Sequence, residues 1–138
     1  MREDSKIASS FQQAGGLLQH SIQGGRGVSR AISMIGIIGA MEIEVEQLRS
    51  QMKNLSKETV SGIEFSRGEL CGKEVVLARC GIGKVFAAIC AQTMVIRYGV
   101  TTLVNSGVAG TLTPELHIGD VAISSGCVQH DMDTSAIG

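Results

Sequence analysis

Three glutamates within five residues, Glu42, Glu44 and Glu46, are the first candidates for acid–base chemistry in this chain. They follow an apolar run that ends in Gly39 and Ala40, so a carboxylate there would stand near the carboxyl end of a strand, where open α/β sheets bind their ligands. A solvated place in the first helical turn, where the dipole favours acids, is the alternative for each of them. Two other loops, Gly81-Ile82-Gly83-Lys84 and Ser106-Gly107-Val108-Ala109-Gly110, also carry glycines directly behind apolar runs. Any one of the three could be only a tight turn. Three strand-end loops of this kind point to one site.

Other readings of the same residues fail on spacing. Gly81-Ile82-Gly83-Lys84 lacks the G-x-x-x-x-G-K-[ST] pattern of a triphosphate loop, and Lys84 is followed by Val85. Gly36 and Gly39 fall inside and at the end of a strand and do not form G-x-G-x-x-G. His130 and Asp131 have no third ligand at suitable spacing for a metal. No metal and no cofactor are expected.

The elements that must position these residues can be read from hydrophobic period. Residues 34–40, MIGIIGA, read as a strand buried on both faces. Met41, Val45 and Leu48 then share one side at helical spacing, which predicts a helix to about Met52. Residues 57–80 read as an antiparallel hairpin turning at Cys71-Gly72-Lys73. Val85 to Tyr98 is apolar almost all round, as for a helix buried in the body, and Gly99 ends it. Thr101–Asn105 reads as a second buried strand, making a parallel crossover, and residues 119–125 as one more. The fold class is therefore α/β with a mixed central sheet.

Composition bounds the partners. The 138 residues are 43% hydrophobic, enough for one core, and carry 12 Lys+Arg against 13 Asp+Glu. A net charge of −1 offers no footprint for nucleic acid or an anionic membrane surface. With 3% aromatics and no Trp there is no stacking platform for single strands. No apolar run approaches the roughly 18 residues of a membrane span. Cys71, Cys80, Cys90 and Cys127 fall singly in apolar surroundings with no C-x-x-C pair, which predicts buried reduced thiols and a cytoplasmic location. The first 33 residues, rich in Ser, Gln and Gly without a sustained period, are expected to be mostly disordered. Glu3 and Asp4 argue against an organelle transit segment, so an upstream start-codon extension before Met34 is the reading adopted.

Four segments, IGIIGAMEIEVEQL, ARCGIGKVFAAICAQ, LVNSGVAGTLTPELHIGDVAIS and HDMDTSAIG, occur in this order across residues 34–138. Together they closely resemble the methylthioadenosine/S-adenosylhomocysteine nucleosidases of the nucleoside phosphorylase superfamily. The resemblance implies a three-layer α/β/α fold of the nucleoside phosphorylase type, incomplete at the C-terminus, with residues 34–138 the N-terminal portion of the domain. It implies that Glu44, matching the third acid of the family's GAMEEEV motif, deprotonates the water that attacks the ribose, and partial burial is expected to raise its basicity.

By the same resemblance Met41 packs against the ribose, with a core methionine as the alternative, and Ile82 lines the pocket for the 5′-alkylthio group. Val108, Ala109 and Gly110 match the loop beside sugar and base. Val108 stands where many members carry Ser. Thr134 and Ile137 match positions that cover the neighbouring subunit's pocket in a homodimer, with a surface loop the alternative for Thr134. The reaction implied is hydrolysis of an N-glycosidic bond, releasing adenine and a 5-thioribose product in methionine salvage.

The family's leaving-group aspartate and ribose-binding glutamate match nothing before Gly138, so the chain is expected to be truncated and inactive alone. A purine nucleoside phosphorylase of the same fold is the nearest rival. Asn105 and Val108 occupy positions where such relatives tend to have Arg and Ser. A non-catalytic remnant that binds nucleosides or dimerises is the other.

Overall fold

A computed structural model of the chain describes residues 33–129, 131–133 and 135–136. The expectation of disorder for the first 33 residues falls, except for Ser33, outside the described residues. Two units are distinguished, one ending at Val108 and one running from Ala109 onward.

Among the described residues, the first unit holds every regular element. The run expected to be doubly buried is strand β1 (Ile35–Gly39), and helix α1 (Glu42–Gln51) follows it after two residues. Then come β2 (Lys53–Val60), β3 (Ile63–Leu70), β4 (Lys73–Arg79), helix α2 (Lys84–Tyr98) and β5 (Thr102–Asn105). The sheet order is β2-β3-β4-β1-β5. β1 pairs in parallel with both β4 and β5, whereas β2, β3 and β4 form an antiparallel meander, so the sheet is mixed.

Alternation along the central strands divides the core into two layers. Ile37, Val75 and Leu77 pack with Val45 and Leu48 of α1 on one face. Ile38, Val76 and Ala78 pack with Cys90 and Met94 of α2 on the other. One helix on each face of the sheet is the three-layer α/β/α arrangement anticipated from the sequence. Across the second layer Tyr98 lies 5.3 Å, ring centre to ring centre, from Phe65 and donates a 2.9 Å hydrogen bond to Glu58 of β2, which Arg97 also pairs.

Several expectations are corrected. Residues 57–80 are not one hairpin, because the chain turns at Ser61-Gly62 as well as at Cys71-Gly72, giving three strands. Both turns have positive φ at both central residues, 51° and 79° in the first and 51° and 75° in the second, the backbone twist that suits two-residue hairpins. β2 escaped notice because KNLSKETV is polar on both faces and mostly exposed, so no hydrophobic period marks it. α2 is not buried all round: only Cys90 and Met94 are buried, while Val85, Phe86, Ile89 and Ile96 are exposed. β5 is a half-exposed edge strand rather than a buried one. Cys71 and Cys127 are exposed, and only Cys80 and Cys90 behave as buried small hydrophobes.

In the second unit no strand forms over residues 119–125, and Val121 and Ile123 are exposed. Alternation suits a strand, but its N–H and C=O groups need a neighbouring strand, and the described residues of this unit contain none. Local contacts order it instead, such as Thr111 with Thr113 and the His117 amide donating to Asp120 at 2.8 Å.

Candidate active site

Parallel pairing sends β4, β1 and β5 to the same edge of the sheet, with β1 in the middle. Its end is held from both sides: the Cys80 amide donates to the Gly39 carbonyl and the Ser106 amide to the Ile38 carbonyl, each at 2.9 Å. The three glycine-bearing loops thus leave from adjacent strand ends, as their sequence positions suggested.

Glu44 sits at this edge in the first turn of α1. Its Oε2 accepts the Ala40 and Met41 amides at 2.8 and 2.9 Å, and its Oε1 accepts the Val108 amide at 3.1 Å. The Met41 contact is the reach-back of an acid at the third helical position to the N-cap amide. A carboxylate offers about four lone-pair sites. Among the described residues Oε2 has two donors and Oε1 one, which leaves one site on Oε1 for a further donor.

These bonds favour the charged form. The Met41 and then the Val108 amide hold the Glu44 carboxyl below its ordinary value, with the Ala40 amide adding to them and partial burial opposing. The expectation that burial would raise its basicity is therefore reversed, since three amide donors outweigh the desolvation. Glu44 is an ionised acceptor at neutral pH. Nearby Cys80 and Cys90 have thiols raised by burial, Cys90 to about 12, so neither is a thiolate nucleophile at neutral pH.

Met41 is the N-cap of α1 and just over one-third exposed. Ile82, 76% exposed, stands between Gly81 and Gly83 behind β4. The Val108 side chain is exposed, and its contribution to Glu44 is the backbone N–H, which any residue except proline supplies. Met41, Ile82 and Val108 thus leave from three neighbouring strand ends with Glu44. Ala109 and Gly110 are exposed members of the second unit. His130, Thr134 and Ile137 lie outside the described residues. A hollow lined by Gln51, Lys53, Glu69, Leu70, Cys71 and Gly72 lies at the opposite end of β4, away from this edge.

Gly39, Ala40 and Gly107 also shape this edge, although none of them is a chemistry-bearing residue type. Ala40 matters through its amide, which no residue type announces. Gly39 and Gly107 matter through the side chain they lack, and the run of small residues SGVAG was the available signal.

The profile of the phosphorylase superfamily matches residues 34–138. The chain belongs to that superfamily. Among curated relatives, the 5′-methylthioadenosine/S-adenosylhomocysteine nucleosidase of Shewanella sediminis is 49% identical over 104 residues, 75% of this chain and 45% of that protein. The nucleosidase of Tolumonas auensis is 48% identical over the same shares. The crystal structure of the Neisseria meningitidis nucleosidase in complex with methylthio-immucillin-A superposes with a TM-score of 0.72 at 39% identity, over 77% of this chain and 46% of that one. The Colwellia psychrerythraea nucleosidase in complex with adenine gives 0.74 at 37% identity, over 80% and 46%. This superfamily member therefore shares the nucleoside phosphorylase-type fold of these neighbours and spans about 45% of the length of the curated relatives it matches.

Proposed function

We propose that the protein to which this chain belongs hydrolyses the N-glycosidic bond of 5′-methylthioadenosine and S-adenosylhomocysteine, releasing adenine and the 5-thioribose product. The observation that carries the reading is the Glu44 carboxylate, ionised, fixed by three backbone amides and left with one open acceptor site at the carboxyl edge of the parallel strands. A water donating to that site is oriented for attack on the ribose carbon. As its oxygen bonds to that carbon the bond to the purine breaks, and Glu44 takes the water's proton. A low-pKa base does this only as positive charge grows on the sugar, which suits an oxocarbenium-like transition state. Protonation of the departing purine is assigned to an acid in the half of the relatives' length that this chain does not span.

Met41 is assigned to the ribose, Ile82 to the 5′-alkylthio group, and Val108, Ala109 and Gly110 to the sugar and base. The adjacency of the strand ends carrying the first three supports this. Hydrolysis is favoured over phosphorolysis because an ionised Glu44 repels a phosphate dianion at the same position. Homodimerisation, with Thr134 and Ile137 covering the partner's pocket, is supported by the exposed apolar residues Val85, Ile89 and Ile96 on one side of α2. No described helix is long and apolar enough to cross a membrane, and the four unpaired cysteines favour the cytoplasm. Residues 34–138 are assigned to the N-terminal portion of the nucleosidase domain.

The test is adenine release from both nucleosides by a protein of the relatives' full length, with and without phosphate. Release independent of phosphate and lost in Glu44→Gln is expected. Strict phosphate dependence would defeat hydrolysis in favour of the phosphorylase reading.

A further inference from the structure

The Glu44 carboxylate approaches the loop behind β5 more closely than a side chain there would permit. A Cβ on Gly107 would lie 2.7 Å from Oε1, 3.0 Å from the carboxylate carbon and 3.3 Å from Oε2. The first is closer than a Cβ sits to another heavy atom, so something must shift, and the other two are tighter than ordinary van der Waals contact. A free glutamate would step aside at little cost. This one is tied at Oε2 to Ala40 and Met41 and at Oε1 to Val108, so a displacement large enough to clear a methyl group costs at least one of these bonds.

On the side of β1, Gly39 likewise lets the first turn of α1 lie against the strand, since a Cβ on it would be 2.5 Å from Val45 Cγ1 and 3.3 Å from Glu44 Cβ. The carboxylate occupies a slot bounded by backbone on two sides.

We propose that Gly107 is the positioning residue for the Glu44 carboxylate: by lacking a side chain it lets Oε1 reach the Val108 amide and keeps the remaining acceptor site of Oε1 aimed in one direction. The proposal rests on the hydrolytic reading for its catalytic meaning but not for its geometry. Glycine is required at 107 as empty space rather than for an unusual φ, because its φ lies outside the left-handed region. Any larger residue, alanine included, would turn or displace the acid that holds the water. In an active full-length protein the loss would fall on kcat more than on KM.

The test is side-chain carboxyl and backbone amide NMR on the 138-residue chain as a function of pH, with the Glu44 signal assigned through Glu44→Gln. In the unsubstituted chain the Val108 amide proton should titrate together with Glu44. Gly107→Ala should uncouple the two and move the Glu44 midpoint upward, toward the ordinary carboxylate value. Gly126→Ala, where an added Cβ meets nothing within 4 Å, should leave both unchanged. An unmoved Glu44 midpoint in Gly107→Ala overturns the proposal. If Gly107→Ala prevents folding, adding Glu44→Ala should restore it by removing the group with which the new methyl collides, and failure of that rescue overturns the proposal too. None of these readouts uses enzymatic activity, so they fail independently of the hydrolytic reading.

Discussion

The two helices of the sheet make opposite use of their sequences. α1 is short, with charged and polar residues over most of its surface, and buries only Val45 and Leu48, yet it carries the residue on which the proposed chemistry depends. α2 is half as long again and far more apolar, and it too buries only two residues, Cys90 and Met94. Burial against the sheet is limited by the width of one helical stripe, not by how hydrophobic the helix is. The apolar surplus of α2 is therefore surface in this chain, whereas the polar surplus of α1 becomes a site wherever the backbone of a neighbouring loop comes within reach. An almost all-round apolar sequence therefore does not bury α2 in the body, because composition does not measure burial.

The sharpest way to break this contrast is Glu44→Gln. In a protein of the relatives' full length it should lower adenine release by about 10²–10⁴-fold, the usual contribution of a general base, as read by a coupled adenine assay. A loss under tenfold would make α1 an ordinary surface helix.

Next in size are the buried stripes. Leu48→Ala on α1 and Met94→Ala on α2 should each cost about 2–5 kcal/mol in urea denaturation, because both side chains are almost wholly removed from solvent. Similar costs for the two would confirm that the helices are anchored alike despite their compositions.

A smaller, pH-dependent effect is expected at Glu58, which tethers α2 to β2. Hydrogen bonds from Arg97 and then Tyr98 hold its carboxyl below the ordinary value of 4.5. The Tyr98 hydroxyl is pushed up to about 12, by burial first and by Glu58 second. A lowered folded-state value means that the contribution of Glu58 is fully present above the unfolded value and is lost as pH falls through the folded one. Thermal melts should therefore show Glu58→Gln less stable at neutral pH, with the gap closing below about pH 4.5. A gap that persists in acid would assign the role to packing instead.

The least effect on folding is expected from Ile96→Ser on the outer side of α2. With Ile96 75% exposed, stability should change by no more than about 0.5 kcal/mol. Self-association, followed by sedimentation in the full-length protein, should weaken. Unchanged association would show that this side of α2 is not where copies meet.

Legibility followed the physics of each signal. β1 and β4 were visible because strands buried on both faces need continuous apolar runs, and the Cys71-Gly72 turn because its sequence interrupts one. β2 was not, since an exposed polar edge strand is held by its ladder to β3 and by the Ser61-Gly62 turn rather than by hydrophobic period. Residues 119–125 erred in the other direction, showing the period without a partner to pair with. At the site, the three acids behind β1 were legible from their place and the family resemblance singled out Glu44 among them, but the direction of its pKa was not legible. The sequence suggested burial for a catalytic acid there, and the amides of Met41, Val108 and Ala40 that reverse its effect are invisible as residue types.

The sequence by itself determined the α/β class, the three strand-end loops and the cluster of acids behind the first of them, because apolar runs, helical spacing and glycine punctuation are local signals. Tertiary structure alone decided that β1 lies between β4 and β5, and that this order brings Val108 to Glu44, 64 positions earlier in the chain. It also decided that Gly107 serves by leaving room. Pairing order and empty space are relations between distant segments, and no window of sequence contains both partners.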